Sequence, residues 1–137
     1  MVIVSGNYTG NKLGYSGLSK HDLQVLNTAV AQRGIRISII PLLDVEPGTA
    51  QVSILDIPCR IDEETLDRLL CEAIAATSET VFVHIPKTCW NMLGKFLKAT
   101  EYYHRIELLA SNLGTIEGWN EFLVQAELCL AELPADE

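Results

Sequence analysis

Residues 80–85 read Thr80-Val81-Phe82-Val83-His84-Ile85. The run is apolar at both odd and even positions instead of alternating. That is the pattern of a strand covered on both faces, and such strands belong to parallel sheets flanked by helices. Pro86-Lys87-Thr88 breaks it. Upstream, Leu66, Leu69, Leu70, Ala73 and Ile74 recur at the spacing of one helical stripe. Asp62 is the expected N-cap of that helix, and Glu63 and Glu64 suit its positive end. Downstream, a helix from about Cys89 to Tyr103 turns Leu93, Phe96, Leu97 and Thr100 inward, and Ile106 to Ala110 reads as a short strand. Residues 80–110 therefore read as a right-handed crossover between parallel strands.

Further strand patterns lie upstream. Gln51 to Ile57 alternates through Val52, Ile54 and Ile57, and residues 35–43 are rich in β-branched side chains. Pro41 marks an edge strand or a bulge, and the Pro47-Gly48 turn predicts that these two strands form a hairpin. Ser19, with Asp22 three residues on, starts a helix that buries Leu23, Leu26 and Val30 and ends at Gly34. Residues 2–5 read as a first strand. Gly6 to Leu18, with four glycines and two asparagines, reads as a long loop. At the other end, residues 111–115 form a turn and Thr115 caps a last helix. That helix reaches about Leu133, buries Trp119, Phe122, Leu123 and Ala126, and leads to a short acidic tail at 134–137. The order is β-α-β-β-α-β-α-β-α. The expected fold is a single α/β domain over residues 1–137, a three-layer sandwich with a five-stranded, mainly parallel mixed sheet.

Composition narrows the function classes. The chain has 137 residues, 48% hydrophobic and 20% charged, enough for one core. No apolar run is long enough to span a bilayer, and the N-terminus lacks a basic region followed by an apolar one. No membrane partner is expected, and the expected location is cytoplasmic. Eighteen acids against 10 bases give a net charge of −8, which argues against binding duplex nucleic acid. Cys59, Cys71, Cys89 and Cys129 show neither CxxC spacing nor a histidine at a zinc-finger offset, so no metal site is expected and a reducing compartment is. Cys71 and Cys129 read as small hydrophobes within helices.

In open α/β sheets ligands sit beyond the carboxyl ends of the strands. Three strand-to-helix connections are candidates: Gly6–Leu18, Pro86–Thr88 and Ser111–Thr115. Each meets a helix that begins at a serine or threonine, and convergent helix N-termini suit an anion. Lys12 and Lys87 would add charge. Asn7, Thr9, Thr88, Ser111, Asn112 and Thr115 would add neutral donors and acceptors. The expected ligand is a phosphorylated or nucleotide-like small molecule, with cyclic nucleotide and oligonucleotide signals in that class, and no cofactor is implied. The glycines do not form GxGxxG, and no GK[ST] follows them. His84, Lys87 and Cys89 are the candidate catalytic residues: His84 as an acid–base group, Cys89 as a thiol beside Lys87 in a first helical turn. His21 reads as a surface residue, and His104, after Tyr102 and Tyr103, as part of an exposed contact patch or of a helix end closing over the sheet edge. Asp56 and Glu107 lie on expected strands with no pairing legible.

The segment Val83-His84-Ile85-Pro86-Lys87-Thr88 resembles the strand-to-loop segment of sulfotransferases, in which the lysine and threonine hold a phosphate of the sulfonate donor. The likeness spans these six residues. It departs at Cys89 and Trp90, where the family has small residues, and it carries no assignment here.

A symmetric homodimer is expected for a small domain with surplus apolar helix surface, with Trp90, Met92, Tyr102 and Tyr103 at its interface. A different class of function is also legible. From Glu107 to Glu137 there are seven acids and no lysine or arginine. A protein-interaction module or inhibitor would present Glu117, Glu121, Glu127 and Glu132 of the last helix to a basic protein partner.

Overall fold

The computed structural model describes residues 11–57, 61–85, 103–109 and 112–130. Within them the chain forms β1 (Lys12–Ser16), α1 (Lys20–Arg33), β2 (Ser38–Pro41), β3 (Ala50–Asp56), α2 (Glu63–Ala76), β4 (Thr77–His84), β5 (Ile106–Leu109) and α3 (Ile116–Glu127). The strands make one all-parallel sheet in the order β2-β1-β3-β4-β5. Helices cover both faces, which is the expected α/β sandwich.

Alternation along the strands separates two cores. Leu13, Val52, Ile54, Phe82 and Leu109 pack with Leu26, Ala29 and Val30 of α1 and with Trp119, Phe122, Leu123 and Ala126 of α3. Leu55, Val81, Val83 and Ile106 pack on the opposite face with Leu66, Leu70, Ala73 and Ile74 of α2. β4 feeds both cores, which is why its sequence is apolar at odd and even positions alike. Phe122 anchors the first core, with edge-on ring contacts to Phe82 at 5.0 Å and to Trp119 at 5.6 Å between centroids.

The expected helix boundaries rest on caps that form. Ser19 Oγ accepts the Asp22 N–H at 3.1 Å, and Gly34 closes α1 in the left-handed region at φ 69°. Asp62 accepts the Thr65 N–H at 2.7 Å, and Thr115 accepts the Gly118 N–H at 3.0 Å. Beside them, Arg33 and Glu127 form an ion pair that joins the last turns of α1 and α3. Both helices therefore begin at the carboxyl edge of the sheet and end at the opposite one.

Four expectations are corrected. First, β1 lies inside the stretch read as a loop. Leu13 and Tyr15 face one core, while Gly14 carries no side chain because Leu42 lies against it: a Cβ there would come within 2.6 Å of Leu42 and 2.9 Å of Ser53 Oγ. The strand expected at 2–5 lies outside the described residues. Second, β2 and β3 form no hairpin. β1 lies between them and pairs with each in parallel, Leu13 with Ile39 on one side and with Val52 on the other. Residues 42–49 carry the chain back to the amino edge through a 3-10 turn at Leu42–Asp44. Gly48, at φ 73°, donates to the Ala75 carbonyl at 2.8 Å. Third, α3 stops at Glu127 instead of near Leu133. The N–H groups of Leu128, Cys129 and Leu130 bond three residues back, a tighter turn that brings Cys129 and Leu130 against the first core. Fourth, Cys71 is exposed; it lies one residue, or about 100° of helix, beyond the buried Leu70. Pro41, as expected, ends an edge strand. The helix expected at 89–103 lies outside the described residues except for its last residue, Tyr103, which opens a 3-10 turn. No helix among the described residues is long and apolar enough to cross a membrane.

Candidate functional site

The strand order fixes where a site belongs. From β1 the chain crosses to β2 on one side of the sheet, then returns to build β3, β4 and β5 on the other. β1 and β3 thus flank the switch point of a doubly wound sheet. Helices leave their carboxyl ends toward opposite faces, the position at which open α/β sheets bind ligands.

Gly17 follows β1 at this point. Its φ is 86°, and a Cβ there would come within 2.3 Å of the Asp56 carbonyl oxygen at the end of β3. Only glycine meets both conditions, so the backbone after β1 lies directly on the end of β3. The strand ends are also tied across β3 and β4, where the Ile57 N–H donates to the His84 carbonyl at 2.9 Å.

Asp56 and His84 are register partners on β3 and β4, and each ends its strand. Their parity places both on the α1/α3 face, in line with Val52, Ile54 and Phe82. Asp56 Oδ1 and His84 Nδ1 are 3.0 Å apart, with the side chains 26% and 22% exposed. An ionised carboxylate only accepts, so Nδ1 carries the proton and donates it. The pair is partly open to solvent and held by two interior strands.

The other expected site residues divide. Asn112 and Thr115 lie beyond the carboxyl end of β5, at the same edge, but their polar groups are engaged in the turn. Asn112 Oδ1 accepts the Gly114 N–H at 2.9 Å, and the Thr115 hydroxyl donates to the Asn112 carbonyl at 3.1 Å while capping α3. Lys12 begins β1 and so stands at the amino edge, where its backbone N–H donates to the Gln51 side chain at 2.7 Å; the sheet does not bring it to the others. Asn7, Thr9, Lys87, Thr88, Cys89 and Ser111 lie outside the described residues. Glu107 is exposed on β5 opposite Phe82, one strand and two residues removed from the Asp56–His84 pair. His21 is exposed, as expected, and His104 is exposed as well. Among the described residues no three histidine, cysteine, aspartate or glutamate side chains cluster as a metal site would.

Sequence reasoning treated Asp56 and His84 separately. The signal that links them is that each polar residue ends a same-parity apolar series on a strand, Val52-x-Ile54-x-Asp56 and Phe82-x-His84. It becomes visible once β3 and β4 are in register.

Fold and site together define a doubly wound α/β domain with a histidine–aspartate pair beside its switch point. Compared with known proteins, the sequence matches no family model and no curated sequence.

Proposed function

We propose that this chain binds a phosphorylated or nucleotide-like small molecule at the carboxyl edge of its sheet. The observation that carries the reading is the switch point between β1 and β3. Gly17 keeps the backbone there free of a side chain, and the Asp56–His84 pair stands partly exposed beside it. The amino ends of α1 and α3 on the same face supply backbone N–H groups and positive dipole ends that favour an anion. His84 supplies a donor when protonated, and Lys87 follows β4 in the chain.

The test is a thermal-shift screen against nucleotides, cyclic nucleotides and inorganic phosphate, at low and physiological salt. A ligand at about 100 times its Kd stabilises the fold by about 2.7 kcal/mol, several degrees of Tm for a chain this size. The shift should shrink in His84→Gln and in Lys87→Ala. No shift with any of these ligands rejects the proposal. Sedimentation with and without ligand tests whether the site is shared across a homodimer.

A second reading has its own observation. Glu117, Glu121 and Val124 of α3 and its C-cap residue Leu128 are all exposed and lie along one side, Val124 at 54% and Leu128 at 86%. An acidic and apolar stripe of this kind suits a basic amphipathic partner. Glu127 takes less part in it because Arg33 holds its carboxylate, and Glu132 lies outside the described residues. Charge reversal at Glu117 and Glu121 should abolish such binding and leave the ligand shift unchanged.

A further inference from the structure

We propose that the groove between the loop after β2 and the end of α2 is a docking site for a basic protein segment that presents an apolar side chain. The inference is independent of the ligand reading. The groove lies on the α2 face, beside the end of α2 at the amino edge of the sheet, and so on the opposite face from the α3 stripe.

The sequence builds the groove from two walls. Leu42 and Leu43 open the 3-10 turn after β2, and Val45 and Pro47 continue that wall. Leu42 turns into the second core, where Gly14 makes room for it, while Leu43 is 90% exposed. The other wall is the last turns of α2, with Glu72, Ala75 and Ala76. The two alanines are small, and a hollow of about 260 Å³ stays between helix and loop. The Gly48 N–H bond to the Ala75 carbonyl, at 2.8 Å, ties the loop to the helix end and sets the width of the groove. A single exposed leucine is ordinary, but here it borders a continuous apolar surface, the usual mark of a contact site. The hollow is smaller than the roughly 300–1,000 Å³ of small-molecule sites. Among the described residues Glu72 is its one polar lining side chain, so it suits an apolar side chain of a peptide.

The rim decides the partner. Asp44 and Glu46 alternate with Leu43, Val45 and Pro47, and Glu72 stands on the opposite wall. All three acids are exposed, and among the described residues none forms an ion pair, not even Glu72 with Arg68 one turn before it. The sequence has no lysine or arginine between Arg36 and Arg60 or between Arg68 and Lys87, the stretches that build the walls. An apolar hollow with an acidic rim fits a segment in which lysine or arginine flanks a leucine, methionine or phenylalanine. A second copy of this chain would set three carboxylates against three, and an anionic lipid surface would be repelled in the same way.

The experiment uses the intact chain and two fluorescent synthetic peptides of equal charge, read by anisotropy. One peptide carries leucines at helical spacing on one side and lysines on the other; in the second, glutamine replaces the leucines. The expected result is binding of the leucine peptide that weakens as salt rises, with the glutamine peptide at least about tenfold weaker. Ala75→Phe, which fills the hollow from an exposed position, and Leu43→Gln each lower affinity for the leucine peptide by about tenfold. Glu46→Lys with Glu72→Lys lowers it as well, whereas Glu117→Lys with Glu121→Lys leaves the part sensitive to Ala75→Phe unchanged. Absence of binding, the result if another part of this chain fills the groove, overturns the proposal, and so does binding that Ala75→Phe and Leu43→Gln leave intact. Loss on reversal of Glu117 and Glu121 but not of Glu46 and Glu72 assigns the peptide to α3 and overturns it too. Sedimentation of the chain alone completes the test: self-association that Leu43→Gln abolishes gives the groove to a second copy instead. Leu43 makes so little contact with the fold that its variant decides the matter even if Ala75→Phe does not fold.

Discussion

Gly118 lies in the first turn of α3, and replacing it with alanine sets two effects of opposite sign against each other. Within a helix, glycine to alanine ordinarily stabilises by about 0.5–1 kcal/mol, because alanine loses less backbone entropy. Here a Cβ would come within 1.8 Å of the Asn112 carbonyl oxygen, 2.6 Å of its carbon and 2.9 Å of its nitrogen. All three are backbone atoms, and Asn112 is held by the Thr115 N–H and hydroxyl at its carbonyl and by the Gly114 N–H at its side chain. The clash cannot be relieved by rotating a side chain. Either the turn at 112–115 or the start of α3 must move by more than 1 Å, and Trp119, the next residue, is fully buried. Forced overpacking of this kind costs about 1–3 kcal/mol and more where backbone must move. Taking the upper end and subtracting the helix gain leaves a net loss of about 2 kcal/mol. At about 2.1 cal/mol/K of unfolding entropy per residue, that lowers Tm by about 7 °C. The assay is two-state denaturation by circular dichroism of Gly118→Ala beside Gln125→Ala, an exposed site on the same helix that should stay within about 0.5 kcal/mol of the parent. A Gly118→Ala protein as stable as the parent, or more stable, would refute the close approach of the turn to α3.

Other perturbations test separate parts of the structure. Gly34→Ala meets only the left-handed φ of 69° with open space around it, and should cost about 1 kcal/mol, whereas Gly17→Ala adds a 2.3 Å clash with the Asp56 carbonyl and should cost clearly more; equal costs by denaturant titration would contradict the packing at the switch point. The buried Thr77 hydroxyl donates to the Ala73 carbonyl, so at its 2.6 Å contact with Ser53 it is Ser53 that donates. Thr77→Val leaves two buried groups without their partner and should cost about 1–3 kcal/mol, more than Ser53→Ala, as urea midpoints would show. The Arg33–Glu127 pair is partly exposed, and a double-mutant cycle should return about 0.2–1 kcal/mol that fades in high salt. The Thr65 N–H and hydroxyl bonded to the Asp62 carboxylate hold its pKa below the ordinary 3.8. A lowered native pKa gives stability that is present above the unfolded value and is lost as pH falls through the native one, so Asp62→Asn should flatten the acid limb of the stability curve below about pH 4.

The elements legible in the sequence are those whose stabilising contacts are local or periodic. The caps at Ser19, Asp62 and Thr115, the C-cap at Gly34, the stripe of α2 and the two-sided run of β4 each follow from neighbouring residues. What escaped the sequence depends on contacts between distant segments. β1 is five residues long, and its outward position is a glycine because Leu42, 28 residues later, occupies the space of a side chain. A glycine selected by packing has the same appearance as one selected by a turn, so the strand was hidden among loop-forming residues. The hairpin expectation failed for a related reason. A short connection with a Pro-Gly turn favours antiparallel neighbours, unless a third strand lies between and the connection itself becomes the crossover.

The candidate site shows the same division between what sequence spacing carries and what topology carries. Expectation gathered the site from loops rich in glycine, serine and threonine, and the described members of that set separate. Lys12 goes to the amino edge, while Asn112 and Thr115 are engaged in a turn. The pair the sheet does bring together, Asp56 and His84, is 28 residues apart in the chain and aligned only by the register of β3 and β4. That alignment cannot shift by one residue without moving Val52, Ile54 and Asp56 to the α2 face and Ser53 and Leu55 to the other. The two buried cores that hold the register therefore also hold the Asp56–His84 contact. A mutation that loosens β4, such as Phe82→Ala, should weaken the site even though Phe82 has no polar group. It removes the ring that meets Phe122 in the core directly below His84, and a loss of about 3–5 kcal/mol would be shared between global stability and the geometry of the pair. Ligand affinity falling in step with stability across a Phe82→Leu and Phe82→Ala series would support that coupling. Unchanged affinity in a destabilised Phe82→Ala would show that the pair is positioned independently of the core beneath it.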